Sequence, residues 1–160
     1  DLAIRYGHGP FEGLVAEPLF VDAFAPVCSP RLAMRSIEAL RDQTLLHAEW
    51  RHPAADTPTW ARWASASGLG DLHSAASLTF TDDSHAIQAA VAGLGVALTS
   101  LALVRDELES GLLVQPFAPV LQGRPYQLLR LPTASRAVVA VHEWLLRLRG
   151  PQGRMISTSS

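Results

Sequence analysis

Between residues 77 and 99 the sequence lays out a strand, a helix and a second strand in immediate succession, and this order constrains the fold more than any other feature. Ser77 to Thr81 alternates as an extended segment. Asp82 or Asp83 follows as a side chain able to cap a helix, and Ala86, Ile87, Ala90, Val91 and Leu94 then recur at helical spacing. Gly93 and Gly95 end that helix, and Val96 to Thr99 is a short apolar strand. Strands joined through a helix pair in parallel, so an α/β fold with a largely parallel sheet is expected.

The rest of the chain extends the alternation. Leu2, Ala3 and Ile4 read as a short buried strand, followed by the loop Gly7, His8, Gly9, Pro10. A long extended stretch from Leu14 to about Val27 carries Pro18 and Pro26, which predicts a kink or a crossing between two lobes. Ser29 before Pro30 has the form of a helix cap with proline in the first turn, and Ser36 stands before a second short helix carrying Ile37 and Leu40. Thr44 to Ala48 reads as a strand. Thr57 with Pro58 predicts the start of a helix bearing Trp60 and Trp63 on one face and ending at Gly68. Further along, the pattern predicts a helix over Leu101–Leu108, a strand over Leu112–Phe117, a loop over Ala118–Gly123 and a strand over Tyr126–Leu131. The last helix is expected from about Ser135 to Arg149, with Val138, Val141, Leu145 and Leu148 as its buried stripe and Trp144 beside it. Residues 150–160 read as a disordered tail.

Composition removes several function classes. A net charge of -2 lacks the basic footprint that nucleic acid binding requires, so this segment alone is not expected to bind DNA. Cys28 is the single cysteine, which excludes an intrachain disulfide and a cysteine-rich metal site and fits a reducing cytoplasm. There is no lysine, hence no Schiff-base or Walker-type chemistry. No GxSxG elbow is present, and Gly7-His8-Gly9 and Gly93-Leu94-Gly95 both fall short of a dinucleotide fingerprint. No apolar run is long enough to span a bilayer, and no export signal is legible at the N-terminus.

Read in order, Asp1-Leu2-Ala3-Ile4-Arg5-Tyr6-Gly7, Val27-Cys28-Ser29-Pro30, Leu45-Leu46-His47, Phe80-Thr81-Asp82 and the block Gln88 to Leu98 resemble the effector-binding domain of LysR-type transcriptional regulators. The resemblance covers residues 1 to 149, and is closest to the branch containing the glycine-cleavage and β-lactamase regulators. It implies a type 2 periplasmic-binding-protein-like fold, with two Rossmann-like lobes joined by extended crossings and a small-molecule effector in the cleft between them. Residues 1–20 and 121–149 would form a partial first lobe and 21–120 the second. The family's N-terminal winged helix-turn-helix and the start of its first lobe are not among these residues. DNA contact would then belong to that other segment, with a homo-oligomer (dimer or tetramer) and RNA polymerase as the full-length regulator's partners. No cofactor, metal, membrane or catalytic role is implied. A transporter's solute-binding protein and an enzyme on the same scaffold are the alternatives, since fold does not fix function.

In folds of this class, ligands collect where strands end and helices begin. The candidate ligand-binding residues are therefore Tyr6, Gly7 and His8 after the first strand, His47 at the end of a second-lobe strand, and Thr81, Asp82 and Asp83 at a helix start. Each also has a plainer reading. An aspartate in such a place is commonly just a helix cap, and glycines serve turns. Arg5 fits either an anionic effector or a local surface pair with Asp1 or Glu12. His47, Glu49 and His52 match no common metal spacing. Cys28 reads as a small buried hydrophobe, Trp60 and Trp63 as core, and His85 and His142 as structural helix residues.

Overall fold

The computed structural model describes residues 1–72 and 76–148. The chain divides into two compact units, one comprising Asp1–Asp22 with the residues from Arg124 onward, the other Ala23–Gly123. The strand β2 (Val15–Cys28) passes from the first unit into the second without interruption, despite Pro18 and Pro26.

In the first unit, β1 (Leu2–Tyr6) pairs antiparallel with β6 (Leu121–Arg130), Leu2 opposite Arg130 and Tyr6 opposite Tyr126. The strand order there is β1-β6-β2. Tyr126 lies between two rings, Tyr6 at 5.1 Å and Phe20 at 4.8 Å. The helix α4 (Arg136–Leu148) belongs to this unit. The expected stripe on α4 is not what the structure buries. His142 is its single buried residue among those described, whereas Val141 and Trp144 are about half exposed. Apolar periodicity marks a face, but neighbouring elements decide how much of it is covered. The expected continuation of α4 through Arg149 and the tail 150–160 lie outside the described residues.

The second unit is ordered β2-β5-β3-β4, with β3 (Thr44–Ala48), β4 (Ala76–Phe80) and β5 (Val96–Ser100) mutually parallel and β2 antiparallel to β5. Between β3 and β4 runs α1 (Trp60–Ala66), and between β4 and β5 runs α2 (Asp83–Val91). Two apolar clusters form its core. One gathers Phe24, Leu45, Trp60, Trp63 and Phe117; the other gathers Val27, Leu46, Ile87, Ala90 and Val104. Cys28 is a buried free thiol in the first cluster, and burial pushes it up to about 11.

Local signals account for most of these elements. Ser29 accepts from the Arg31 amide at the head of a 3₁₀ turn, Pro30–Leu32. Ser36 precedes a second 3₁₀ turn, Ile37–Asp42, without a side-chain cap bond. Asp82 caps α2 by accepting from the Ser84 amide at 2.7 Å. At the other end, Gly93 takes φ +81° while its amide bonds Ala90 and that of Leu94 bonds Ala89, the paired closure that a left-handed residue permits. Gly95 answers to space instead. A Cβ there would stand 2.2 Å from the Thr44 carbonyl oxygen, so the close approach of β5 to β3 requires glycine.

Three expectations are corrected. The cap of α1 is Thr59, whose hydroxyl accepts from the Arg62 amide, while Thr57 accepts from the Ala54 amide in the preceding loop. The helix expected from Leu101 starts only at Arg105 (α3, Arg105–Glu109), because Ser100 and Ala23 hold the Leu103 and Leu101 amides in a turn. Leu112–Phe117 forms no strand. It contributes one bridge, Val114 to Cys28, and Gln115 turns back to the Phe117 carbonyl. In addition, β6 begins at Leu121, inside the stretch expected to be loop, and Leu94 is exposed rather than part of the α2 stripe.

Candidate functional site

Because β3, β4 and β5 run parallel, their carboxyl ends lie at one edge of the second unit, the position where α/β sheets hold ligands. His47 stands on β3 opposite Thr79. The pairing continues one step beyond the strands, the Glu49 amide donating to the Phe80 carbonyl at 2.8 Å. Thr81, Asp82 and Asp83 follow directly. The structure therefore brings four of the candidate residues to the same sheet end.

Their electrostatics differ. Hydrogen bonds from the Ser84 side chain and amide hold the Asp82 carboxyl below its usual range. Loss of hydration, reinforced by the charge of Asp82, raises that of Asp83. Burial lowers the pKa of His47, which favours the neutral imidazole with one donor and one acceptor nitrogen. Asp82 serves as the helix cap, the plainer of its two roles.

An open pocket of about 60 Å³ sits beside His47. Its lining includes Leu46, His47, Trp50, Thr59, Trp60 and Leu98. Trp60 is anchored through its indole N–H, which donates to the Leu46 carbonyl at 3.2 Å, and it meets Trp63 edge-on with centroids 5.9 Å apart. Trp63 in turn donates to the Pro119 carbonyl at 2.9 Å. The core reading of both tryptophans therefore holds, and Trp60 in addition forms part of a pocket wall. Trp50 and Thr59 were not singled out from the sequence. A tryptophan three residues past a strand-end histidine was the available signal; Thr59 was masked by the Thr57-Pro58 pair two residues earlier.

The remaining candidates belong to the first unit. The Tyr6 hydroxyl accepts from the Arg124 amide at 3.0 Å, which fixes the end of β1. Gly7 is buried with φ +135°, and its amide donates to the Pro125 carbonyl at 2.9 Å. His8 is exposed in the loop that follows. Among the described residues there is no cluster of three His, Cys, Asp or Glu able to hold a metal ion, and no helix is long and apolar enough to cross a membrane.

Comparison with known proteins agrees with this architecture. The family described as the LysR substrate binding domain matches residues 1–149. The glycine cleavage system transcriptional activator of Escherichia coli K12 is 35% identical over 129 residues, which is 78% of this chain and 40% of that protein. The transcriptional activator AmpR of Pseudomonas aeruginosa is 32% identical over 160 residues, 96% of this chain and 52% of that protein. The crystal structure of the AmpR effector domain from Pseudomonas aeruginosa superimposes with a TM-score of 0.73 at 33% identity, covering 92% of this chain and 71% of that one. The chain thus spans about half the length, or less, of these two curated relatives. Both are transcriptional activators, so neither the solute-binding nor the enzyme alternative finds support. Matched over nearly its whole length and sharing the fold of LysR effector domains, the chain belongs to the LysR substrate-binding domain family, as an effector-binding domain of the LysR type.

Proposed function

We propose that the chain is the sensing part of a longer cytoplasmic LysR-type regulator, in which a small-molecule effector biases how attached DNA-binding domains are held. Only an effector with different affinities for two states of the domain can act in this way. In this reading the first unit belongs to the partial lobe assigned to residues 1–20 and 121–149, and the second unit is the lobe assigned to 21–120. Tyr6, Gly7, His8, His47, Thr81, Asp82 and Asp83 contribute to effector binding. DNA is read by a separate helix-turn-helix segment, the regulator works as a homo-oligomer, and RNA polymerase is the downstream partner.

The observation that carries this reading is the convergence of His47 and the Thr81–Asp83 segment at the carboxyl end of parallel strands, beside an open pocket, in a chain of this family. A thermal-shift screen against amino acids, other small carboxylates and cell-wall fragments tests it. A ligand at one hundred times its Kd adds about 2.7 kcal/mol to the native state. For a domain of this size the melting point then rises by roughly 5–10 °C. Thr81→Val, Asp82→Asn and His8→Ala are expected to reduce that rise, Asp82→Asn being chosen because asparagine keeps the cap. A folded chain that no compound in such a panel stabilises counts against the proposal.

A further inference from the structure

The pocket beside His47 has a chemical character that narrows what enters it. Among the described residues its lining contains no aspartate, glutamate or arginine. The Trp60 indole N–H is committed to the Leu46 carbonyl, so Trp60 offers a ring surface and no donor. Thr59 accepts from the Arg62 amide, which leaves its hydroxyl proton to donate elsewhere. The Arg62 guanidinium, two residues past Trp60, is held by the Asp56 and Thr57 carbonyls. Among the described residues no side-chain hydrogen bond engages His47, whose backbone belongs to the β3–β4 ladder, and its imidazole lines the pocket. Trp50 is steadied by Phe24, with ring centroids 5.8 Å apart.

A charged group placed here gives up part of its hydration and finds no opposite charge in the lining to offset the loss, whereas an uncharged group gives up less. The indole faces attract a cation by only about 0.5–1 kcal/mol where they are solvent-exposed, too little to reverse that balance. The space exceeds the roughly 10–15 Å³ that a single water needs, so a group of several heavy atoms fits.

We propose that this pocket is a specificity subsite for an uncharged group of the effector, a small amide or branched aliphatic fragment, hydrogen-bonded by His47 and Thr59 and walled by Trp50 and Trp60. The inference rests on the proposed sensing role only for the identity of the ligand as effector; the binding chemistry belongs to the pocket itself.

The test titrates the chain with isobutyramide, isobutyrate and isobutylamine while following the Trp50 and Trp60 indole and His47 imidazole resonances by NMR. Isobutyramide is expected to shift these signals saturably, and to bind about tenfold or more tightly than either charged analogue. His47→Leu is expected to weaken isobutyramide about fivefold, with His47→Gln restoring most of the loss because the amide replaces the imidazole's hydrogen bond. Trp144→Ala, on α4 of the first unit, leaves the titration unchanged, and the spectrum of each variant shows whether it is folded. Equal or tighter binding of isobutyrate or isobutylamine overturns the proposal. So does the absence of any shift at these three residues with all three probes at up to roughly 0.1 M. A positive effector screen beside a negative titration contradicts this subsite alone, and the converse contradicts the sensing role alone.

Discussion

The two units use the same materials and differ in how completely they enclose them. In the second unit, helices and the 3₁₀ turns lie over a four-strand arrangement whose core residues include Leu40, Leu46, Trp63 and Val96, all inaccessible to solvent. In the first, α4 buries one residue among those described and the strands bury Leu19, Leu128 and Leu129, while half-exposed apolar side chains occur in both units, Ile4 and Trp144 in the first and Leu94 and Leu112 in the second. His142, that one buried residue of α4, has its Nε2 without a hydrogen-bond partner. A βαβ series makes its own cover, since each crossover helix lies over the strands it joins. A short antiparallel group with one helix does not. The second unit is therefore expected to carry most of the stability that resides within these residues.

The largest effect separates two tryptophans. Trp63→Ala removes a fully buried ring together with its bond to Pro119, and a loss of about 3–5 kcal/mol in urea unfolding is expected. Trp144→Ala, on the exposed side of α4, is expected to stay within about 0.5 kcal/mol. Similar losses for the two would break the comparison.

Helix caps sharpen it on a smaller scale. Asp82→Ala is expected to cost about 1 kcal/mol, because its bond to the Ser84 amide is short at 2.7 Å. Ser135 in the first unit accepts from Val138 at 3.4 Å, near the limit of a useful bond, so Ser135→Ala should cost less in the same assay.

The smallest effect is a pH dependence confined to the second unit. His47 has a folded pKa below the ordinary 6.5, so as the pH falls past 6.5 the unfolded chain takes up its proton first. Stability is thus fully present above about 6.5, declines below it, and levels off once the folded pKa is passed. In a comparison of unfolding midpoints across pH, His47→Gln should flatten that slope; an unchanged slope would assign it to other groups.

The parts of the fold legible in the sequence were those with dense local signals. The exact span of β3 and the cap and closure of α2 were readable because Asp82, the helical spacing of Ala86, Ile87 and Ala90, and Gly93 all agree. The close approach that fixes Gly95 was not, since it depends on β3, some fifty residues away. Tertiary competition also decided the failures. Leu112–Phe117 has the composition of a strand, yet the sheet offers it a single bridge at Cys28. On α4 the period was right, and the extent of burial was set by elements that periodicity does not report. The site was legible as positions, strand ends and a helix start, but its chemistry was not. Trp50 and Thr59 reach the pocket through the loop between β3 and α1, whose path no local pattern dictates.

The central claim, that these residues form an effector-sensing domain, is tested most directly by hydrogen–deuterium exchange on the chain with and without the strongest stabiliser from the thermal-shift screen. A ligand that binds at the sheet end of the second unit slows exchange in the backbone of residues 47–50 and 81–84, and Asp82→Asn weakens the protection at both. Protection confined to other segments, or none despite a raised melting point, would contradict the account.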